Sequence, residues 1–278
     1  MAFIAPPWVR KFTEDDLKLR SCISRDVPNL MFAGRNISAT HIGFSSTRVM
    51  ATCAAVGQGA GTAAAYAIKN RMLPAELHSN TEAISNIQQM LLCDDVYLIG
   101  LTNNDPCDIA LKAKVVASCE REGGSAQNIC TGQTRAAHGE LGAPPDRASP
   151  GTHRWMSQGL PASVELRWPH PIAPKHVHLN FDTGMHRPLT LSHSDAYVER
   201  MQWGRPQEET VRDYILEGKI DGTWKTLDKI SANYQRKVEH TLEEPQAISV
   251  LRIKVTATNG LDHARICEVR VYENDPRG

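Results

Sequence analysis

The chain has 278 residues, room for two domains, and its 31 basic residues balance 31 acidic ones. Zero net charge without a basic stripe argues against an obligate nucleic-acid partner. A hydrophobic content of 41% suits a soluble globular protein.

The opening MAFIAPPWVRKF does not read as a signal peptide. Its apolar stretch is short, prolines interrupt it, and its charges follow rather than precede it. Pro6 and Pro7 keep the start extended, and Thr13-Glu-Asp-Asp opens a short helical turn. LKLRSCI (Leu17 to Ile23) then alternates like a strand. After Pro28, Leu30, Met31, Phe32 and Ala33 form an apolar run that stops at Gly34. That pattern predicts a buried strand covered on both faces.

Ser45, Ser46 and Thr47 are consecutive N-cap candidates, and nothing breaks a helix from there to Asn70 before Pro74. In this helix Ala51, Ala55, Gly59, Ala63 and Ala67 share one face, and Gly57, Gly61 and Ala65 form a second row. Each interior glycine costs roughly 1 kcal/mol against alanine, so the rows expect a close backbone neighbour. The plain alternative is a core helix under a tight contact. Arg48 in the first turn would oppose the helix dipole, which makes sense beside a bound anion; a solvated arginine is the alternative. Val49 to Ile68 is long enough to cross a bilayer, but it is Ala/Gly-rich and carries Gln58, so no membrane span is expected.

Ser79 or Asn80 caps a second helix through about Leu92, with Ile84, Ile87, Leu91 and Leu92 on one side. GLTNNDPCD (Gly100 to Asp108) reads as a joint. We therefore divide the chain into residues 1–99, a linker at 100–112, and a second domain at 113–278. Beyond the joint, short β-type segments alternate with turns: AKVVAS, ASVELRW, HVHLNF, RDYILEGKI, WKTLDKI, ISVLRIKVTAT and ARICEVRVYE. This predicts an antiparallel sandwich, with Asp221-Gly222 as a hairpin turn.

Seven cysteines leave at least one unpaired within the chain, and no CxxC occurs. Cys107, Cys119 and Cys130 lie close enough in sequence for one disulfide. His176 and His178 alternate on one strand face; without a third ligand, two such histidines read as surface residues rather than a metal site.

Residues 28–67 carry AGRNISATH and STRVMATCAAVGQGAGTAAA. This stretch resembles the C-terminal flavin-contacting segment of a family of FAD-dependent oxidoreductases. LKLRSCI upstream and SNIQQMLLCDDVYL downstream resemble the family's neighbouring strand and closing helix. The resemblance covers about the first hundred residues. It implies FAD as cofactor, with Ala33, Gly34 and Arg35 near its ribityl and phosphate portion. Ser46, Thr47, Arg48 and Val49 would offer helix-end donors to the ring edge or pyrophosphate, and His41 would act as acid or base. A backbone-bonded loop histidine is the plain alternative for His41. A dinucleotide fold needs GxGxxG after a strand, and this chain has none; Gly57-Gln-Gly-Ala-Gly lies inside a helix. The segment therefore reads as a partial α/β, Rossmann-like FAD-binding portion. A second polypeptide or a second copy is expected to complete it, as in a longer protein or a split gene.

The second half resembles a discoidin-type, galactose-binding-like jelly roll. WMS (Trp155 to Ser157), YILEGKIDGTWKTL (Tyr214 to Leu227) and LRIKVTATNGLDHARICEVRVYE (Leu251 to Glu273) carry the likeness. In sugar-binding members, positions matching Asp146, Thr152 and Glu268 hold a structural calcium ion; here Arg147 follows Asp146 where glycine is usual. A glycan ligand is implied; exposed aromatics such as Trp203 or Tyr197 could stack on a sugar, and nothing in the sequence singles them out.

Together these readings predict the flavin-contacting part of an FAD-dependent oxidoreductase joined to an all-β sandwich accessory domain, with a carbohydrate-like substrate. The alternatives are a carbohydrate-binding module with a flavoprotein remnant, and a sandwich whose role is purely structural.

Overall fold

A computed structural model describes residues 19–98, 101–134, 153–184 and 195–276. The described residues divide into two compact units, one up to Leu101 and one from Thr102 on.

The first unit is helical. Leu19–Cys22 is a 3₁₀ turn rather than a strand, and Gly34–Asn36 is another. The apolar run at 30–33 is not a strand either: the described residues hold one antiparallel bridge, Ile23 to Met31. Strand alternation becomes a strand only where a neighbouring ladder takes up its N–H and C=O groups. Here Phe32 donates to the Cys22 carbonyl and Ser24 to that of Leu30, which closes a small hairpin. Leu30 and Phe32 stay 39% and 37% exposed, so the run lacks the two-sided cover expected of it.

The single long helix is also corrected. Helix α1, His41–Thr47, is capped by Thr40, whose hydroxyl accepts from the Gly43 N–H. Val49 is extended at φ −70° and ψ 134°, and α2, Met50–Lys69, begins after it. The cap is thus five residues earlier than Ser45, and Arg48 stands in the break between helices instead of in the first turn of α2. After the one-turn helix α3, Pro74–Leu77, comes α4, Thr81–Cys93, capped by Asn80 accepting from Ala83 N–H at 3.0 Å. α4 buries Ala83, Ile87, Leu91 and Leu92, the expected side except for half-buried Ile84.

The core of this unit is small: Ala63 and Ala67 of α2 pack on Leu77, Ala83, Ile87 and Leu91. Above it an apolar cavity of about 680 Å³ opens between Ala55, Gly59 and Ala60 of α2 and Ile84, Ile87 and Leu91 of α4. The other row of α2 meets nothing: a methyl group added at Gly57 or Gly61 would have no atom within 4 Å.

The second unit is a sandwich of two antiparallel sheets. One has the order β1 (Lys114–Ala117), β3 (Ala162–Ile172), β8 (Ile248–Thr258), β5 (Val211–Ile220) and β6 (Thr223–Ile230). The other has the order β2 (Trp155–Met156), β9 (Arg265–Tyr272), β4 (His176–Phe181) and β7 (Lys237–Thr241). All seven β-type segments read from the sequence are strands. The short β2, the charge-bearing β7 and the helix α5, Asp195–Met201, are additional. Asp221 and Gly222, at φ 49° and 80°, form the two-residue turn between β5 and β6, with Ile220 opposite Thr223. Left-handed φ at both positions is what such a hairpin requires.

Period-2 alternation puts Val164, Leu166, Leu251 and Ile253 of one sheet against Val177, Leu179, Val269 and Val271 of the other, all fully or almost fully buried. The GLTNNDPCD stretch carries Asn103 and Asp108, both buried in this unit. Asp108 caps the 3₁₀ turn Ile109–Lys112, and its Oδ1 also takes the Val271 N–H at 3.0 Å. No disulfide joins Cys107, Cys119 and Cys130, which are free thiols.

Candidate functional site

In the first unit the residues singled out by the sequence gather around the start of α2. Gly34 adopts φ +70°, and a Cβ there would lie 3.8 Å from the Cys53 Cβ, on the first turns of α2. The left-handed conformation favours glycine and brings the Ala33–Arg35 backbone against the helix. α2 has no side-chain N-cap. The N–H groups of its first turn are therefore open to an outside acceptor. Thr47 is only 5% exposed, yet its Oγ1 has no hydrogen-bond partner among the described residues. Arg48 and Val49 are exposed at the break, as is Arg35, whose guanidinium lies 5.8 Å from the Phe44 ring centre. Neither arginine forms an ion pair with another described residue. His41 opens α1 and is exposed. Ser46 lies in α1; its side chain is outside the described residues. Uncapped donors, an orphaned buried hydroxyl and two uncommitted cations fit a phosphate-bearing, anionic group such as the one the sequence implies.

In the second unit polar chemistry concentrates in two places. The first is the end of the sandwich where the 182–184, 202–210, 231–236 and 259–264 segments meet. Asn233 Nδ2 donates to the Val211 carbonyl, Asn259 Nδ2 to those of Thr210 and Asn233, and Thr210 Oγ1 to that of Asp182. Asp182 is buried between Arg154 and Arg265, at 3.3 and 3.2 Å. Burial pushes its pKa up, but the two guanidiniums outweigh this and hold it below the usual carboxylate range. Arg265 Nε donates to His263 Nε2, His263 Nδ1 donates to Asp262, and Arg121 reaches Asp262, so a chain of polar contacts runs from the interior to the surface. Trp203 and Tyr234, on two of these segments, are 65% and 66% exposed. The Tyr197 side chain lies outside the described residues.

The second place is the outer face of the β9–β4 pair. Residues that alternation would send to solvent are buried: His178 3%, Asn180 2%, Glu268 2%, Arg270 1% and Tyr272 0% exposed. His178 is therefore not a surface histidine; its ring lies 5.3 Å from that of Tyr272. His176 pairs with the Thr241 hydroxyl instead of sharing a ligand with it. Asp146 and Thr152 lie outside the described residues. Glu268, the third position of the implied calcium set, has its Oε2 2.8 Å from Asn180 Nδ2 and 3.0 Å from Arg270 Nε. Its Oε1 and Asn180 Oδ1 are buried without a hydrogen-bond partner among the described residues, but the guanidinium beside the same carboxylate stands against a calcium ion, which needs six to eight oxygen ligands at about 2.3–2.6 Å.

The molecule thus joins a small helical unit to an antiparallel two-sheet β-sandwich. Residues 14–91 match the model of the FAD dependent oxidoreductase family. Among solved structures, the family 32 carbohydrate-binding module of Streptococcus pneumoniae EndoD is similar at 19% identity. The match covers 60% of this chain and 99% of that one, with a TM-score of 0.44. The family 32 module of Clostridium perfringens NanJ, in complex with galactose, is 13% identical over 60% of this chain and 98% of its own, with a TM-score of 0.42. A chitosan-binding module of Paenibacillus sp. IK-5, in complex with chitotriose, is 13% identical over 59% and 99%, with a TM-score of 0.41. No curated protein matches the chain. Among the described residues no helix is long and apolar enough to cross a membrane.

Proposed function

We propose that this chain supplies the C-terminal, flavin-contacting part of an FAD-dependent oxidoreductase, joined to a sandwich that holds the enzyme on a glycan. The observation that carries the reading is the α2 start. The family match spans a helix N-terminus without a side-chain cap, a glycine-allowed backbone approach at Gly34, and Arg35 and Arg48, which have no ion-pair partner among the described residues.

When bound, FAD supplies the acceptor for a hydride from an organic, carbohydrate-like substrate. The chain's own residues serve that chemistry electrostatically. The first-turn N–H groups of α2 and the Arg48 guanidinium would hold negative charge, each contact contributing about 0.3–1 kcal/mol where solvent reaches it and more where water is excluded. Thr47 Oγ1 would donate the hydrogen bond it lacks among the described residues. His41, at the exposed start of α1, would hold or pass a proton near neutral pH. A further polypeptide would complete this unit, because Leu30, Phe32, Val49, Met50 and Ile68 are left exposed and the glycine row faces open space.

The sandwich would take a sugar at its tied loop end. There the exposed Trp203 and Tyr234 rings would offer stacking faces and the Arg–Asp–His network oriented donors.

The test is an absorption spectrum of the chain purified with its completing polypeptide. Bands of bound flavin, lost on Arg48→Ala, support the reading. No flavin bands even after added FAD would overturn it. If calorimetry on that same sample still detected a glycan, the carbohydrate-binding reading would stand alone.

A further inference from the structure

We infer that Arg270 is the built-in counter-charge of the buried carboxylate layer on the sandwich's outer face, so that the sandwich folds without a structural calcium ion.

Glu268 and Arg270 are two apart on β9, side by side on the face that looks away from the core, at 2% and 1% exposure. A carboxylate this deeply buried must take a proton, a metal or a fixed cation, because burial alone makes its charged form costly. Here the cation is covalently part of the strand. Arg270 Nε sits 3.0 Å from Glu268 Oε2, and Asn180 Nδ2, from the facing residue of β4, donates to the same oxygen at 2.8 Å. A calcium ion at about 2.4 Å from that oxygen would stand against a guanidinium that cannot lose its charge.

Glu268 Oε1 has no hydrogen-bond partner among the described residues, whereas the neighbouring carboxylate uses both of its oxygens. Asp108 accepts N–H groups of Val271 and Ala110 at Oδ1 and the Asn103 amide at Oδ2. The field between the three charged groups agrees with the distances. Burial works against the Arg270 charge, yet Glu268 and Tyr272 together outweigh it and its pKa is raised; burial raises the Asp108 pKa, with Arg270 opposing the rise and Glu268 adding to it. Among the described residues, no three of His, Cys, Asp or Glu gather to hold a metal.

The experiment is thermal unfolding of the full chain, in EGTA and in calcium at about 5 mM, above the range at which weak extracellular sites load. Tryptophan fluorescence reports on the sandwich, which holds Trp155, Trp168, Trp203 and Trp224. We expect the two Tm values to agree within about 1 °C, whereas binding at a structural site would raise Tm by several degrees. A reproducible rise in calcium beyond that overturns the inference. Arg270→Gln, Glu268→Gln and their double variant form the second arm. The inference expects the double variant to be more stable than Arg270→Gln alone, because it no longer buries an unpaired carboxylate. Losses that simply add would overturn the pairing. If Arg270→Gln fails to fold, the calcium comparison on the unaltered chain still decides. Neither arm needs flavin or glycan, so the result is independent of the proposed activity.

Discussion

Tyr214 and His240 meet across the sandwich: the phenol oxygen of β5 lies 2.9 Å from His240 Nε2 on β7, and both side chains are buried. His240 Nδ1 lies 2.7 Å from Asp228 Oδ2. An ionised carboxylate only accepts, so the hydrogen bonding assigns the imidazole proton to Nδ1 and makes Nε2 the acceptor for the Tyr214 hydroxyl. The chain of three links β5 and β6 of one sheet to β7 of the other.

The sandwich should therefore lose stability as pH falls. Burial pushes the His240 pKa down, and Asp228 recovers only part of the shift. The folded value lies below the unfolded one of about 6.5, so the unfolded chain binds the proton first. The contribution is fully present above that value and is lost as pH falls through the folded pKa. His240→Gln should flatten the fall of Tm below about pH 6.5 and cost about 1–3 kcal/mol at neutral pH through the severed link. His153 and His263, also held down mainly by burial, leave a residual slope in the same direction. A Tm series against pH for both proteins checks this; identical slopes would refute it.

Asp108 should act in the opposite sense. Burial is the main cause that raises its pKa to about 6. A carboxyl whose folded value exceeds its unfolded one gives stability that is present at low pH and lost as pH rises through about 6. Asp108→Asn keeps the two backbone bonds but turns an amide toward the Asn103 amide. We expect a loss of about 1–3 kcal/mol at pH 7, with the pH dependence between about 4 and 6 becoming steeper because the opposing group is gone. Chemical denaturation at pH 4.5, 6 and 7.5 measures it.

These titrating groups show where the sequence was readable and where it was not. Val164-x-Leu166 and Ile253-x-Val255 alternate because one face is apolar core, and such strands were legible. Trp155–Met156 is too short to show a period, and Lys237–Thr241 carries charge on the face that hides the signal. The same alternation predicted solvent for His178, Glu268 and Arg270, which are buried; a second covering layer leaves no trace in period 2. In the first unit, LKLRSCI and Leu30–Ala33 have strand patterning but no ladder among the described residues. The break at Val49 has no proline or glycine to mark it. The candidate flavin residues were legible as a motif, while the uncapped helix start and the orphaned Thr47 hydroxyl needed coordinates.

Gly132 should tolerate no side chain. It holds φ +80°, and a Cβ there would lie 2.4 Å from the Asn103 carbonyl oxygen and 3.1 Å from its nitrogen. Asn103 N–H donates to the Gly132 carbonyl, so this close approach pins the residues around Asn103 to the sandwich. Left-handed φ alone costs about 1–3 kcal/mol for another residue, and backbone cannot rotate away as a side chain can. Gly132→Ala should lower stability by at least that much, whereas Gly159→Ala, in open space, should cost under about 1 kcal/mol. Equal Tm values for the two variants would contradict this.

Trp203→Ala and Tyr234→Ala separate binding from folding at the loop end. Both rings are about two-thirds exposed, so little core is lost with them. Each variant should keep Tm within about 2 °C while weakening glycan affinity roughly tenfold, the scale of one lost stacking contact. An array on the full chain identifies the glycan, and calorimetry on that glycan reads the change. Unchanged affinity in both variants would move the sugar site elsewhere.

The glycine row of α2 gives the most discriminating test of assembly. Gly57 and Gly61 lie in helix interior with nothing within 4 Å of an added Cβ. If the chain used this face only toward water, Gly57→Ala and Gly61→Ala would each stabilise it by about 0.5–1 kcal/mol, through helix propensity and a less flexible unfolded chain. If another polypeptide seats there, the same methyl groups would hold the two backbones apart. Exposed Met50 and Ile68, at 82% and 80%, flank the row at the two ends of the helix and would be buried with it. We therefore expect the paired alanine variant to be more stable than the natural chain when purified alone. In the presence of the completing polypeptide it should sediment as the smaller species and retain less flavin. A variant that is more stable and assembles as well as the natural chain would show that this face stays in water.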